Sequence, residues 1–437
     1  MRRCRSWLAA VTAFGVCLGA GAPALSQTTK QSSVTARARP DYDPIGLQLG
    51  TLLSTALGGP EEGYEALNSF LVFPKFAVEG EFTDNVFNAE TDKVSDKIVS
   101  FKPSLNITSD WVNHALAVSG EATVGRHFKA NNENFEDYKG SVKGRLDVAA
   151  QSNITAGITH ERRHEGRGAP DDPGVTFGPT VSFDTTFELE GEFSTDPLIA
   201  RVESAAKRTD VLDNGTINND DRDVWKFVVR PRLGYEFFED TALFAQPGFT
   251  ALVFDVRVDD DGFDRDSREY ELLGGLTYDF SDLTYADIGV GLAHTRFDDP
   301  TFKPETRFSL EGTSIWNVTE LVTITSATRR TSSVTVTRTQ TSVISTMSFE
   351  LAADWEARDN LLVNVGAGVS IADFEGEETD GVEARQDNVF TFRAGARYLI
   401  GQNLFASAEY SLTRRDSNEV GSSFTTNRFL MRIGVQL

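Results

Sequence analysis

Cysteine is almost absent from this chain, since its only two, Cys4 and Cys17, lie within the first 26 residues. The remainder therefore has no disulfide framework. It also lacks any apolar run of the roughly 18 residues that a membrane-spanning helix needs. Basic residues are outnumbered, because 42 Lys and Arg stand against 65 Asp and Glu, which gives a formal net charge of −23. So acidic a chain is not expected to bind nucleic acid.

The first 26 residues have the composition of a secretory signal peptide. Three arginines precede an apolar stretch, Trp7 to Ala22, and Ala24-Leu25-Ser26 provides a small-residue cleavage site. Removal of this segment would take away those three positive charges and no acidic residue, which moves the formal charge from −23 to about −26. The protein is therefore predicted to be exported.

Residues 27–69 are predicted to form a polar tether that ends in short helices over Thr51 to Leu57 and Tyr64 to Leu67. Two placements of this segment are open. It is either a lead-in on the periplasmic side or a plug inside the structure that follows. We favour the lead-in.

From residue 70 to the end, apolar residues recur at every second position. In the final stretch Phe429, Met431 and Ile433 fall on one face of an extended strand, and Arg428 and Arg432 fall on the other. Counting such stretches gives about 18 strands (16–18), each roughly 10 to 14 residues long, which is the length of a tilted strand that crosses a bilayer. Short and long polar connections alternate along the chain, as in a barrel inserted from one side. The prediction for residues 70–437 is an all-β fold, a single transmembrane antiparallel β-barrel in the bacterial outer membrane, with short periplasmic turns and long extracellular loops.

The side of each strand opposite the apolar face should line the barrel interior. The predicted lumen-facing charges are Lys139, Lys143, Arg145, Lys226, Arg230, Arg232, Arg393, Arg397, Arg428 and Arg432 among the bases, and Glu121, Glu269, Glu271, Glu311 and Glu409 among the acids. One hypothesis is a basic stripe that faces acidic residues across the lumen and favours anionic or polar solutes. The alternative is that these charges pair along the wall and hold its shape.

The long loops are rich in aspartate, as in Asp259 to Asp266 and Asn218 to Asp221. Neither run has the spacing of an EF-hand, so solvated loops are the simpler interpretation and no metal site is predicted. Divalent ions that bridge the loops to lipopolysaccharide phosphates are the functional alternative. The expected partners are outer-membrane lipid, lipopolysaccharide and the barrel-assembly machinery, the last through the strand Asn427 to Leu437.

One motif suggests an enzyme. His160-Glu161-Arg162-Arg163-His164 matches the H-E-x-x-H pattern of zinc proteases, which requires a helix. Here it continues a period-two strand that starts at Ile154, where the two imidazoles would be about 13 Å apart. We therefore predict no catalytic residue, no metal and no cofactor.

Several segments resemble a family of proteobacterial outer-membrane proteins, the beta-barrel porins of type 2. They are Arg39 to Leu47, Phe70 to Pro74, Asp84 to Phe87, Ser109 to His114, Ile217 to Arg222, Gly262 to Ser267 and Tyr410 to Ser417. The resemblance covers the chain from about Arg39 to Leu437, with Thr51 to Asn68 as an insertion. It implies an outer-membrane barrel, and for some relatives a partnership with polysaccharide export machinery.

The predicted function is an outer-membrane channel for hydrophilic solutes, which the resemblance extends to a possible outlet for an exported polysaccharide. The alternative is a plugged barrel whose acidic loops serve a structural or surface-contact role. An open lumen and a plugged one would differ in conductance.

Overall fold

The computed structural model describes residues 39, 41–57, 64–169, 172, 177–215, 217–280, 283–333, 341–376 and 385–437. The predicted signal peptide, residues 1–26, and the predicted tether up to residue 38 lie outside these ranges. No helix within them is long and apolar enough to cross a membrane.

Eighteen antiparallel strands form one closed sheet, in which each strand pairs with the next along the chain. They are 12 to 18 residues long, so several are longer than the sequence pattern indicated. The strands are β1 Phe70–Thr83, β2 Asp96–Ser109, β3 Ala115–His127, β4 Phe135–Ala149, β5 Ser152–His164, β6 Val181–Thr195, β7 Leu198–Val211, β8 Val224–Phe238, β9 Thr241–Phe254, β10 Ser267–Phe280, β11 Thr284–Phe297, β12 Glu305–Thr319, β13 Val322–Ser333, β14 Thr341–Arg358, β15 Leu361–Gly376, β16 Gln386–Ile400, β17 Leu404–Ser417 and β18 Phe424–Gln436.

The last strand closes the barrel against the first. β18 pairs with β1 from Arg428 opposite Thr83 to Gln436 opposite Lys75. Every strand then has two neighbours, so the sheet has no free edge strand. Pairing between β12 and β13 stops at Glu311 opposite Arg329, short of the outer ends of both strands. The predicted transmembrane barrel is confirmed.

Alternation along the strands sorts side chains between lipid and lumen. Phe429, Met431 and Ile433 are 41%, 58% and 70% exposed on the outside of the barrel. Between them, Arg432 faces inward and bonds to Glu79 of β1. An apolar side chain facing outward costs nothing in a bilayer, whereas the same surface in water would be unfavourable. The register predicted for this strand is therefore confirmed.

The segment before the barrel lies at its periplasmic end. A helix, α1, spans Leu49–Leu57, and a 3-10 helix spans Glu65–Ser69. A two-residue strand, Leu47–Gln48, pairs with the start of β1. These elements coincide with the helices predicted at Thr51 to Leu57 and Tyr64 to Leu67.

The residues just before these helices touch the inner wall. Arg39 forms an ion pair of 2.8 Å with Glu356 of β14. Tyr42 packs against a buried cluster of Ala77, Leu399 and Phe405, which belong to β1, β16 and β17. Arg39 and Tyr42 therefore occupy part of the periplasmic mouth. Whether the whole of residues 27–69 acts as a lead-in or a plug stays a prediction.

Candidate functional site: the charged lumen

All of the charged residues predicted to line the lumen lie on strands, at positions that alternate with the apolar, lipid-facing ones. They are Glu121 on β3, Lys139, Lys143 and Arg145 on β4, Lys226, Arg230 and Arg232 on β8, Glu269 and Glu271 on β10, Glu311 on β12, Arg393 and Arg397 on β16, Glu409 on β17, and Arg428 and Arg432 on β18.

The Arg230 cluster is the most densely paired group in the wall, and we define it as Arg230 with Glu203, Glu271 and Glu311. The Arg230 guanidinium is 3.9 Å from the Glu203 carboxylate and 3.7 Å from that of Glu271, and it hydrogen bonds to Glu311. Its side chain is only 12% exposed. These carboxylates come from β7, β10 and β12, so one cation joins strands that are several positions apart in the sheet.

The wall bends sharply at β11, where Cα atoms of β10 and β12, two strands apart, come within 8 Å of each other. A Cβ at Gly291 would lie 1.7 Å from the carbonyl oxygen of Leu272, and one at Gly275 would lie 2.2 Å from the carbonyl oxygen of Ile288. Only glycine permits so close an approach of the two backbones. The bend turns Glu311 toward Arg230, which explains a contact between strands that are not neighbours.

Arg232 is held in the same corner. Its guanidinium donates to Asp287 at 2.6 Å and to Gln246 at 2.5 Å, and it lies 3.8 Å from the centre of the Phe244 ring. Stacking on an aromatic face and pairing with a carboxylate both favour a fixed arginine. These contacts fix the Arg232 side chain against the barrel wall.

Charges on β4 and β6 are arranged differently, in what we call the β4–β6 groove: Lys143, Glu188 and Glu190 around Gly157 of β5. A Cβ at Gly157 would be 3.7 Å from Glu188 Oε2 and 3.9 Å from Lys143 Cγ. Because glycine has no side chain, it leaves a shallow depression between these two oppositely charged residues. Among the residues that the structure describes, Lys143, Glu188 and Glu190 make no ion pair within 4.0 Å. All three side chains are half-buried and lie on the lumen face of the wall.

The wall beside the closing strands mixes both arrangements. Glu79 accepts from Arg432 and is 2.6 Å from the Lys102 ammonium, and Arg428 lies 3.6 Å from Glu81. Three other predicted residues each have a polar partner within the wall. Lys139 is 3.6 Å from Glu161, Arg145 is 2.9 Å from Asp147, and Arg397 donates to Gln436 at 2.8 Å. Within the described part of the chain, Glu121 and Glu409 have no ion pair.

In the third outer loop, which connects β5 and β6, residues 165–169 lie over the outer mouth. The backbone carbonyl of Arg167 accepts from the Asn88 side chain at 2.6 Å, and that of Gly168 accepts from Arg415 of β17 at 2.5 Å. Going around the barrel, β17 is six strands from β5. Arg167 and Gly168 therefore extend inward and contact residues up to a third of the way around the barrel.

A buried ion pair fixes this loop. The Arg167 guanidinium is 2.6 Å from Glu133 and 2.8 Å from Asp172, and the first two side chains are each 5% exposed. Burial opposes the charge on Arg167, but the two carboxylates outweigh it and hold the pKa of Arg167 above its usual value. Arg167 therefore stays charged, and its ion pairs hold this part of the loop in place.

The H-E-x-x-H motif lies in strand β5. His160 Nδ1 is 2.8 Å from the Thr185 hydroxyl, and His164 Nδ1 is 2.6 Å from Asp137. The two imidazoles have separate partners. Across the described ranges, no group of three or more His, Cys, Asp or Glu side chains is placed to hold a metal.

The acidic outer loops are linked to one another. Asp221 accepts from the backbone N–H of Asp260 at 2.9 Å, and Asp259 accepts from Arg265 at 2.5 Å. Burial, with repulsion from Asp260, Asp220 and Asp259, raises the pKa of Asp221. Divalent bridging to lipopolysaccharide stays a prediction.

Sequence reasoning missed three features. Glu188 and Glu190 were not singled out, although their alternation with Phe187 and Leu189 places them on the lumen face. The inward position of Arg167 and Gly168 could not be predicted, because the sequence of this loop has no periodic pattern. The bend at β10 and β11 depends on the pairing of Gly291 with a distant partner, which composition does not reveal.

A closed barrel with an apolar outside and a charged, alternating inside defines an outer-membrane β-barrel. The family of this chain follows from its sequence: a model of the family described as "Putative beta-barrel porin 2" matches residues 63–437, and the chain belongs to that family. The protein is therefore a porin-type barrel of the outer membrane, and the resemblance seen in the sequence is confirmed.

Solved outer-membrane barrels are similar at low identity. OpdK of Pseudomonas aeruginosa matches with a TM-score of 0.42 and 11% identity, over 84% of this chain and 99% of its own. OpdO of the same organism gives 0.43 and 10%, over 84% and 97%. The siderophore receptor PiuA of Acinetobacter baumannii gives 0.39 and 10%, over 83% and 82%. No curated protein matches the chain.

Proposed function

We propose that this barrel is a passive channel for hydrophilic solutes across the outer membrane. The observation that carries the proposal is the β4–β6 groove, where Lys143, Glu188 and Glu190 face the lumen without ion pairs among the described residues. Unpaired charges are costly in a dry interior and stable in water. An 18-stranded barrel is also wide enough to leave an aqueous lumen unless something fills it.

Conductance of the full-length protein in a planar bilayer tests this proposal. We expect stable ohmic steps whose size rises with salt concentration. A correctly folded protein that inserts but gives no steps would contradict it. Heat-induced loss of the strand signal in circular dichroism checks that the inserted protein is folded.

A plugged, structural barrel is the second candidate, because Arg39 and Tyr42 occupy part of the periplasmic mouth and Gly168 contacts Arg415 over the outer one. Removal of residues 27–69 from the mature chain distinguishes the two. A plug predicts that conductance appears only after removal. A channel predicts steps in both proteins.

The finer proposal that the resemblance implies is an outlet for an exported polysaccharide, with polysaccharide export components as partners. It is tested in the source bacterium by deletion of the gene and measurement of surface polysaccharide. Normal polysaccharide in the deletion strain would remove this proposal and leave the general channel standing. Lipopolysaccharide and the barrel-assembly machinery, which we expect to contact Asn427 to Leu437, are likewise proposed partners.

A further inference from the structure

A cavity of about 120 Å³ opens in the lumen wall next to the Arg230 cluster. We call it the wall cavity. Its lining includes Arg230, Glu311, Lys226, Arg329 and Arg330. Lys226 is near the outer end of β8, so the cavity faces the outer half of the lumen. Its volume is enough for several water molecules or a small solute group.

The carboxylates of this cavity are already engaged. Glu311 bonds to Arg230, and Glu271 accepts from the Ser309 hydroxyl at 2.5 Å. Glu269 accepts from Thr295 at 3.2 Å and lies 3.8 Å from Arg330. These three acids therefore have little capacity left to neutralise further positive charge.

The cations outnumber them. Lys226, Arg230, Arg329 and Arg330 line the cavity against three glutamates. No carboxylate of the described residues comes within 4.0 Å of the Lys226 ammonium. Its cross-strand neighbour Lys207 is also a cation, although that one is neutralised by Asp184 at 2.9 Å. Lys226 is thus the lining cation that has no ion pair among the described residues.

Serine and threonine are frequent among the other lining residues. They include Thr250, Ser267, Thr331, Ser332 and Ser333, next to the apolar Val228, Leu252 and Val343. Hydroxyls donate and accept in the same place, which suits a polyhydroxylated ligand. Ammonium and guanidinium groups suit a carboxylate.

We propose that the wall cavity is a binding site for small hydroxylated carboxylates such as sugar acids. The carboxylate lies between Lys226 and Arg330, and the ligand's hydroxyls meet the serine and threonine side chains. The site rests on the proposed function as a channel, because it gives that channel a preferred class of solute.

Equilibrium dialysis with radiolabelled gluconate tests the site on the folded, detergent-solubilised full-length protein, without reliance on conductance. We expect saturable binding of gluconate, and no competition from sorbitol or N-methylglucamine, which keep the hydroxyls but lack the carboxylate. Acetate, which has only the carboxylate, should compete at least about tenfold more weakly. Inorganic phosphate that competes as well as gluconate would overturn the role of the hydroxyls.

Lys226→Gln is the decisive variant. It should weaken gluconate binding about tenfold, the loss of one charge-assisted contact. Since Lys226 has no ion pair to lose, this change should leave the thermal stability of the unliganded protein equal or higher. At one gluconate concentration, the melting temperature should rise more in the original protein than in the variant.

Lys139→Gln is the matched control, because Lys139 also faces the lumen but lies outside the cavity. Its gluconate affinity should stay within about twofold of the original. Equal losses in both variants would overturn the site, since they would show only a response to overall charge. Arg330→Gln gives a second test within the cavity.

Conductance measured in parallel separates the two proposals. Steps without gluconate binding would overturn the site and retain the channel. Binding without steps would retain the site and overturn the channel. Neither steps nor binding, in a folded protein, would overturn both.

Discussion

The Arg230 cluster and the β4–β6 groove contain the same kinds of residue and differ in whether their charges meet. In the cluster, one arginine lies between three glutamates drawn from β7, β10 and β12. In the groove, Lys143 and Glu188 flank the floor of a single strand without forming an ion pair. The comparison indicates that the curvature of the wall, and not the kinds of residue present, decides which charged side chains form ion pairs.

Curvature acts through distance. Strands two apart in a flat sheet are about 9.5 Å apart, which leaves opposite side chains short of contact when they stand upright. At the cluster, the close approach of Gly291 to Leu272 folds the wall and brings more distant strands into reach. At the groove the nearest backbone atom to a Cβ at Gly157 would be the Val142 carbonyl oxygen at 3.6 Å, so the strands there are not so closely pressed together.

The largest effect should come from Arg230→Ala. Removal of the cation leaves three glutamates facing one another in a poorly exposed corner, and we expect the free energy of unfolding to fall by about 3 kcal/mol or more. Urea unfolding of the barrel in lipid vesicles measures it. Lys143→Ala, in the groove, should change the same quantity by less than about 0.5 kcal/mol. Similar losses for the two variants would erase the distinction between the regions.

Gly291→Ala tests the cause of the distinction. A methyl group placed 1.7 Å from the Leu272 carbonyl forces the two backbones apart. We expect a loss of about 2 kcal/mol in the same unfolding measurement. Gly274→Ala, on the partner strand with no atom within 4 Å of the added Cβ, is the control and should be nearly neutral. A neutral Gly291→Ala would show that the bend has another origin.

Glu188→Gln combined with Glu190→Gln should change transport and not stability. Neutralising two unpaired lumen carboxylates lowers the attraction for cations, and we expect roughly a twofold fall in the cation-to-anion permeability ratio. Reversal potentials across a salt gradient measure it. Glu136→Gln removes an exposed acid that faces outward beside Arg126, and should leave the ratio unchanged. An unchanged ratio in the double variant would mean that the groove does not meet passing ions.

The smallest effect should come from the loop above the groove. Asn88→Ala removes a hydrogen bond to the Arg167 carbonyl and another to Thr426, while the Arg167 ion pairs remain. We expect single-channel conductance to rise by less than about twofold, because the loop loosens without leaving. Asn113→Ala, in a periplasmic turn, is the control. A fall in conductance would contradict the inward position of the loop.

The sequence was sufficient for the barrel and for the lumen face, because both follow from period-two alternation, which is local. Phe429 and Arg432 could be assigned to opposite faces from their spacing alone. It was insufficient for pairing, since the partnership of Arg230 with Glu311 depends on backbones that meet at Gly291. It also could not place Arg167, whose partner Glu133 lies in another loop.

The ion pairs around Glu79 have a consequence for how the molecule comes into being. Glu79 and Arg432 are 353 residues apart, yet they lie side by side where β18 meets β1. Contacts of such separation form late, because a long loop must close first. Until the final strand pairs, both edge strands of the unclosed sheet have unpaired backbone amide and carbonyl groups that lipid cannot solvate. This junction is therefore the last to seal during biogenesis, and a chain cut short of β18 should stay vulnerable to proteases.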